Sequence, residues 1–122
     1  MKRKRILVFD DDIPTLEVLN IVLGEAGYEI EISETTHHII DKISTFFPDL
    51  ILMDNQIPDI GGVAAIQKIR TQKEFITIPV ILISASTDIV SLQKNSGAED
   101  FIRKPFDLGE LEGLINKYLL TK

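Results

Sequence analysis

The sequence of 122 residues contains no cysteine. Disulfides, thiolate metal sites, iron–sulfur clusters and cysteine nucleophiles are therefore excluded as the basis of its chemistry. Positive charge is also scarce, because 13 Lys and Arg stand against 19 Asp and Glu, a formal net charge of −6. A surface this acidic repels phosphate backbones, so we expect no direct nucleic-acid binding by this domain.

Long hydrophobic runs are lacking as well. Runs such as Ile6–Phe9 and Val80–Ile83 are far shorter than the roughly 18 residues of a membrane-spanning helix. The basic residues 2–5 resemble the start of a signal peptide, but the apolar run behind them stops at Asp10. We interpret them as a solvated lead-in to the first strand rather than as a nucleic-acid or targeting patch. We expect no membrane segment and a cytoplasmic location, with which the missing cysteines agree.

What the chain does contain is an alternation of short apolar runs with amphipathic segments. The runs are too short for helices and rich in β-branched residues, which predicts buried strands at Ile6–Phe9, Leu50–Met53 and Val80–Ile83, with weaker ones at Tyr28–Ile32 and Asp100–Arg103. Helical spacing predicts helices over Pro14–Ala26, Thr36–Phe46, Gly62–Lys73 and Asp88–Ser96. A last helix begins after the capping box of Asp107 and Glu110.

Five strand–helix units of this kind predict an α/β fold with a parallel sheet and helices on both faces. We expect one domain over residues 1–122: a doubly wound (βα)5 sandwich of flavodoxin-like type, with strand order 2-1-3-4-5. In such a sheet the functional groups gather beyond the carboxyl ends of the strands, where the strand order reverses.

The residues that follow the strands are chemically suited to such a site: Asp10, Asp11 and Asp12 after the first, Asp54 after the third, Ser84 after the fourth and Lys104 after the fifth. Clustered carboxylates need a compensating cation, and oxygen ligands without His or Cys suit Mg²⁺. A cation, an ammonium and a hydroxyl around one carboxylate make a phosphoryl-transfer site, in which the carboxylate can act as nucleophile.

Four separated motifs resemble the receiver domain of two-component response regulators, a family that includes chemotaxis regulators: Phe9-Asp10-Asp11, Leu52-Met53-Asp54 with Ile57-Pro58 and Gly62, Ile83-Ser84-Ala85, and Arg103-Lys104-Pro105-Phe106. The resemblance spans the whole chain and implies a phosphoacceptor signalling domain rather than an enzyme. Such a domain would promote its own phosphorylation and dephosphorylation. Its partners would be a sensor histidine kinase or a phosphotransfer protein, and a downstream protein or an effector domain.

The resemblance also implies residue roles. Asp54 would accept the phosphoryl group from a phosphohistidine. Asp11 and Asp54 would bind Mg²⁺ with the backbone carbonyl of Gln56, while Asp10 would act through metal-bound water. Ser84 and Lys104 would bind the phosphoryl oxygens, with the Lys104–Pro105 peptide bond in the cis form.

Ser84 and Phe101 would act as the switch, changing the face made by the fourth helix, fifth strand and fifth helix. Dimerisation through that face stays open. The sequence departs from the family in that Ser84 replaces a commoner Thr, Gly61 a frequent Asp and Phe101 a frequent Tyr. The third acid, Asp12, has no assigned role.

Two other functions remain open at this point. A haloacid-dehalogenase-like phosphatase would use Asp10 as nucleophile with Asp12 two residues on, but that class needs a further acidic motif after Lys104, where only one helix follows. An inactive interaction domain on the same fold is the second alternative. The neighbouring His37 and His38 lie apart from the acids and are interpreted as surface residues.

The first helix carries apolar residues outside its core stripe. The stripe is predicted to consist of Leu16, Leu19, Leu23 and Ala26, whereas Val18, Ile21 and Val22 point away from it. Because the corresponding region of receiver domains docks the kinase, we interpret these three residues as a kinase-docking patch.

Overall fold

The structure is a computed structural model that describes residues 3–119. In that range strands and helices alternate as β1 (Arg5–Phe9), α1 (Ile13–Glu25), β2 (Glu29–Ser33), α2 (Ile39–Phe46), β3 (Leu50–Asp54), α3 (Gly62–Arg70), β4 (Val80–Ser84), α4 (Ile89–Ser96), β5 (Asp100–Arg103) and α5 (Leu108–Leu119). A short 3₁₀ turn, Lys73–Phe75, lies between α3 and β4.

The five strands form one parallel sheet in the order β2-β1-β3-β4-β5, which confirms the predicted α/β fold and strand order. Strands β1, β3 and β4 lie inside the sheet and are almost completely buried, as their unbroken apolar runs predicted. Strand β2 lies at an edge, and its alternating glutamates are exposed.

Alternate side chains of the central strands point to opposite faces of the sheet and build two core clusters. Leu7, Ile51 and Leu82 pack on the side of α2, α3 and α4, which contribute residues such as Ile43 and Ile66. On the other face, the central strands pack against α1 and α5. Helix α1 contributes Leu16, Leu19 and Leu23, and α5 contributes Leu111, Ile115 and Leu119. The sheet is therefore covered on both faces, and the strand ends are left for function.

Some predicted boundaries were wrong. Helix α2 begins at Ile39 rather than Thr36, because Thr36 is buried and its hydroxyl bonds to a neighbouring loop. Helix α3 ends at Arg70 rather than Lys73, and the chain then turns so that Phe75 enters the core. Ala26 was assigned to the core stripe of α1, but it is exposed as the residue that caps the helix end.

Two predicted local features are present. The side chain of Asp107 caps α5 by accepting a hydrogen bond from the N–H of Glu110 at 2.7 Å. The Lys104–Pro105 peptide bond is cis. No helix within residues 3–119 is both long enough and apolar enough to span a bilayer.

Candidate functional site

Three carboxylates meet at the carboxyl end of the sheet. Because β1 and β3 are neighbours, Asp10 and Asp11 after β1 lie beside Asp54 at the end of β3. Each offers a carboxylate oxygen, and these oxygens lie within 4.8 Å of one another. Asp10 and Asp54 are only 1% and 3% exposed, whereas Asp11 is open to solvent. We call these three residues the acid trio; such a set of oxygen donors fits a hard divalent cation such as Mg²⁺.

Lys104 is the cation that the chain itself supplies to the acid trio. Its Nζ lies 2.8 Å from Asp54 Oδ1 and 3.5 Å from Asp10 Oδ2. Burial alone would lower the pKa of Lys104, but the hydrogen bond to Asp54 and the charges of both carboxylates raise it above its usual value. The ammonium therefore stays charged and tied to the site.

The surroundings of Asp10 disfavour its ionised form. Burial raises the pKa of the Asp10 carboxyl, and the negative charge of Asp54 adds to this effect. The N–H of Asp12, 2.9 Å from Asp10 Oδ1, and the ammonium of Lys104 act in the opposite direction. On balance the pKa is raised, mainly because the carboxyl group is buried.

The loop that follows β3 holds Asp54 in place. Asp54 Oδ2 accepts a hydrogen bond from the N–H of Gln56 at 3.2 Å, and Asn55 O accepts one from the N–H of Gly62 at 2.9 Å. A side chain at Gly62 would place its Cβ 2.5 Å from the backbone oxygen of Asp54. Only glycine therefore allows α3 to start this close to the site.

Thr36 is a supporting residue that the sequence reasoning missed. It is 2% exposed, and its hydroxyl donates to Pro58 O at 3.1 Å and accepts from the N–H of Ile60 at 3.2 Å. These bonds fasten the segment after β2 to the loop that carries Gln56. The sequence signal was weak, since a threonine beside exposed histidines at 37 and 38 is common at a helix start.

Ser84 lies at the end of β4, one position beyond the residue that pairs with Asp54. Its hydroxyl oxygen accepts a hydrogen bond from the N–H of Ser86 at 3.0 Å, and its carbonyl accepts from the N–H of Lys104 at 2.9 Å. The side chain is 4% exposed. In this arrangement the hydroxyl is engaged by its own loop.

The third acid of the first loop has a structural role. Asp12 caps α1, because its Oδ2 accepts a hydrogen bond from the N–H of Thr15 at 3.1 Å and bonds to the Thr15 hydroxyl. The hydrogen bonds to Thr15 lower the pKa of Asp12. Its carboxylate is thus directed to the helix and does not belong to the acid trio.

The predicted switch residue Phe101 lies in β5, the edge strand opposite β2. It is half-buried and pairs with Leu82 of β4. Next to it, Asp100 accepts a hydrogen bond from the Tyr118 hydroxyl at 2.8 Å, which ties β5 to α5. Burial and this bond raise the pKa of Tyr118 to about 12. Burial alone would raise the pKa of Asp100, but the N–H of Phe101 together with Tyr118 and Lys117 lowers it.

Apolar residues on α1, the helix that begins directly after the first loop of the site, are exposed. Val18 is 46% and Ile21 60% exposed, whereas Val22 is half-buried. Val18 also lines a cavity of about 300 Å³ together with residues from the start of α1, Phe106 of the β5–α5 connection and Leu108 at the start of α5. The structure therefore leaves two of the three predicted patch residues clearly accessible.

Fold and site together define a doubly wound α/β protein with an acidic cluster and a lysine at the point where strand order reverses. Residues 6–116 match the family model for the response regulator receiver domain, so the chain belongs to this family and is the receiver domain of a two-component signalling system. Receiver domains typically bind Mg²⁺ and interact with histidine kinases or phosphotransfer proteins.

Two relatives agree with this assignment. The DNA-binding response regulator MtrA of Mycolicibacterium paratuberculosis is 34% identical over 111 residues, which cover 89% of this chain and 48% of that protein. The chain thus spans about half the length of that relative. The sporulation initiation phosphotransferase F of Bacillus subtilis is 28% identical over 122 residues, covering 100% of this chain and 98% of that protein.

A solved structure gives the same result for the fold. The signal receiver domain of a signal transduction histidine kinase from Syntrophus aciditrophicus superposes with a TM-score of 0.88 at 30% identity. The match covers 96% of this chain and 90% of that chain.

Proposed function

We propose that residues 1–122 form one receiver domain in which Asp54 accepts a phosphoryl group from a phosphohistidine of a sensor histidine kinase or phosphotransfer protein. One observation carries this proposal. Asp54 is a buried carboxylate at the end of β3 that belongs to the acid trio and lies 2.8 Å from the Lys104 ammonium. A buried acid with an adjacent fixed cation is suited to nucleophilic phosphoryl transfer.

In the proposed reaction, an Asp54 carboxylate oxygen attacks phosphorus, the phosphorus–nitrogen bond breaks, and its electron pair remains on the imidazole of the donor. The product is an acyl phosphate on Asp54, which adds negative charge to a site that is already acidic. Lys104, now bonded to Asp54 Oδ1, would bind a phosphoryl oxygen and offset part of this charge. Hydrolysis of the acyl phosphate by water, promoted by the same site, would reset the domain.

The residues present fit a bound Mg²⁺. Asp11, Asp54 and the backbone carbonyl of Gln56 would hold the ion, with Asp10 acting through water. The acid trio supports this, because its three carboxylate oxygens lie within 4.8 Å of one another and such a set suits a hard divalent cation. Mg²⁺ would supply positive charge to the phosphoryl oxygens.

The switch in this proposal is the hydroxyl of Ser84. It would leave the N–H of Ser86 and bond to the phosphoryl group on Asp54, after which Phe101 would repack. The face of α4, β5 and α5 would then change its preference for a downstream protein or an effector domain, or for a second copy of the chain. The proposal places this event in the cytoplasm, where receiver domains typically act.

Kinase docking is assigned to the exposed part of α1. Val18 and Ile21 offer exposed apolar surface on α1, the helix that begins directly after Asp10, Asp11 and the Asp12 cap, as a docking helix would require. The double change Val18→Ser and Ile21→Ser should slow transfer from the kinase and leave phosphorylation by acetyl phosphate unchanged. Equal loss with both donors would refute this assignment.

The test of the phosphoacceptor is the intact mass of the chain after incubation with acetyl phosphate, with and without Mg²⁺. We expect a single labile phosphoryl adduct that requires Mg²⁺ and is lost in Asp54→Asn. An adduct that survives in Asp54→Asn but is lost in Asp10→Asn would favour the phosphatase alternative, although Asp12, the second aspartate of that class, is used as a helix cap. No adduct from either acetyl phosphate or a phosphorylated kinase would leave the inactive interaction domain.

A further inference from the structure

A second concave surface lies at the opposite end of the sheet from the acid trio. A cavity of about 300 Å³ is lined by Arg3, Lys4, Arg5, Phe47 and Asp49. Arg5 is the first residue of β1, and Phe47 and Asp49 directly precede β3, so this surface belongs to the amino ends of the strands. We call these five residues the basal cleft. Phosphoryl transfer at the carboxyl ends does not use it.

Phe47 is the unusual member of the basal cleft. It ends α2 with φ 56° and ψ 65°, in the left-handed region that bulky residues avoid, and it precedes Pro48, which disfavours helical conformations of either hand in the residue before it. Its side chain is nevertheless 63% exposed. Asn or Gly would suit this backbone better, so neither the backbone nor burial in the core explains an aromatic residue here.

The neighbours of Phe47 hold it in this conformation. The N–H of Phe47 donates to Ile43 O at 2.7 Å, and Arg5 Nη1 donates to Phe46 O at 2.6 Å. The N–H of Arg5 donates to Asp49 Oδ2 at 2.8 Å, and the N–H of Asp49 donates to Arg5 O at 2.8 Å. Arg5 and Asp49 therefore use their polar groups in internal hydrogen bonds, and these bonds hold the backbone that carries the Phe47 ring.

Arg3 and Lys4 remain available for a partner. Both are exposed, and neither forms an ion pair with another residue in the part of the chain from 3 to 119. Three of the 13 Lys and Arg residues are Arg3, Lys4 and Arg5, which leaves ten against 19 acidic residues for the rest of the sequence. An anionic partner is thus attracted to this end and repelled elsewhere.

We propose that the basal cleft binds a short acidic segment of a partner protein, with an apolar side chain against Phe47 and carboxylates against Arg3 and Lys4. A short segment fits better than a nucleic acid or a membrane. The basic surface is small, because Asp49 lines the cleft itself and Glu29 is ion-paired with Arg5, so an extended anionic surface would meet both acids. Contact at this end leaves Asp54 free to be phosphorylated.

The proposal is tested by selecting random twelve-residue peptides that bind the full chain. We expect enriched peptides that place two or more acidic residues next to an apolar one. In ¹⁵N-labelled protein they should shift the amide signals of residues 3–5 and 46–49 and leave those around Asp54 unchanged. Phe47→Asn, or Arg3→Ser combined with Lys4→Ser, should weaken binding about tenfold or more, and the Arg3/Lys4 change should reduce its salt dependence.

Matched controls distinguish peptide binding at this site from nonspecific hydrophobic binding and from the proposed phosphorylation. Ile76→Asn replaces another exposed apolar residue, 57% exposed and outside the cleft, and should leave peptide affinity unchanged. All variants should be phosphorylated by acetyl phosphate like the wild type. The proposal is overturned if no acidic peptide depends on these residues. It is equally overturned if a twelve-nucleotide RNA, vesicles containing phosphatidylglycerol, or self-association depends on them instead.

Discussion

Replacing Asp10 by Asn should stabilise the metal-free protein, because it removes a buried charge from the acid trio. At a separation of 4.8 Å or less, each like-charged pair costs at least about 3 kcal/mol at an effective dielectric constant near 20. The attraction of the Lys104 ammonium, 3.5 Å from Asp10, offsets about 5 kcal/mol of this repulsion at the same dielectric constant. Solvent weakens the repulsion from the exposed Asp11, so the pairwise charge terms nearly cancel. Burial of the Asp10 carboxylate, the largest cause of its raised pKa, then leaves a net penalty of about 1–2 kcal/mol that Asn relieves.

The measurement is urea unfolding followed by circular dichroism, in chelator and in millimolar Mg²⁺. We expect Asp10→Asn to raise the free energy of unfolding in chelator by about 1–2 kcal/mol and to reduce the additional stabilisation by Mg²⁺. Asp12→Asn is the matched control, because Asn caps a helix as well as Asp and Asp12 lies outside the trio. Its free energy of unfolding should change by less than about 0.5 kcal/mol. A lower stability of Asp10→Asn in chelator would refute the reasoning.

Three further predictions concern other parts of the fold. Gly62→Ala should lower the free energy of unfolding by about 1–3 kcal/mol in a urea titration, because the new Cβ would collide with the backbone of Asp54. Gly113→Ala is the control: a Cβ there would meet nothing within 4 Å, so this change should not destabilise the chain. The chain has no tryptophan, so tyrosine ionisation can be followed at 295 nm; Tyr118→Phe should remove the transition near pH 12. Because the pKa of Tyr118 is raised by folding, its contribution to stability is complete below about pH 10 and is lost as the pH rises towards 12. Phe47→Asn should leave the melting temperature unchanged or raise it, because relief of the left-handed backbone offsets the small buried area; a clear fall would show that Phe47 serves the fold.

The sequence was informative where a single physical rule applied. Short apolar runs identified the buried strands, and the residues that follow them, such as Asp10 and Asp54, were correctly expected to meet at one end of the sheet. It was less informative where side chains far apart in sequence decide the outcome. The helix start near Thr36 was misplaced because the bond from Thr36 to Pro58 cannot be read from local spacing.

The role of Asp12 shows a different limit. As a residue type it is equally suited to a metal site and to a helix cap, and only the position of Thr15 decides between them. The conformation of Phe47 was also beyond prediction, since neither helical spacing nor proline rules favour a left-handed phenylalanine. Both features become visible only once the backbone is known.

The central claim is that Asp54 is the residue that carries the phosphoryl group. An acyl phosphate on aspartate is reduced by borohydride to homoserine, which remains in the chain and can be located by mass spectrometry of peptides. After treatment with acetyl phosphate and Mg²⁺, we expect homoserine at position 54 and unmodified aspartate at positions 10, 11 and 12. Homoserine at position 10 with unmodified Asp54 would contradict the claim.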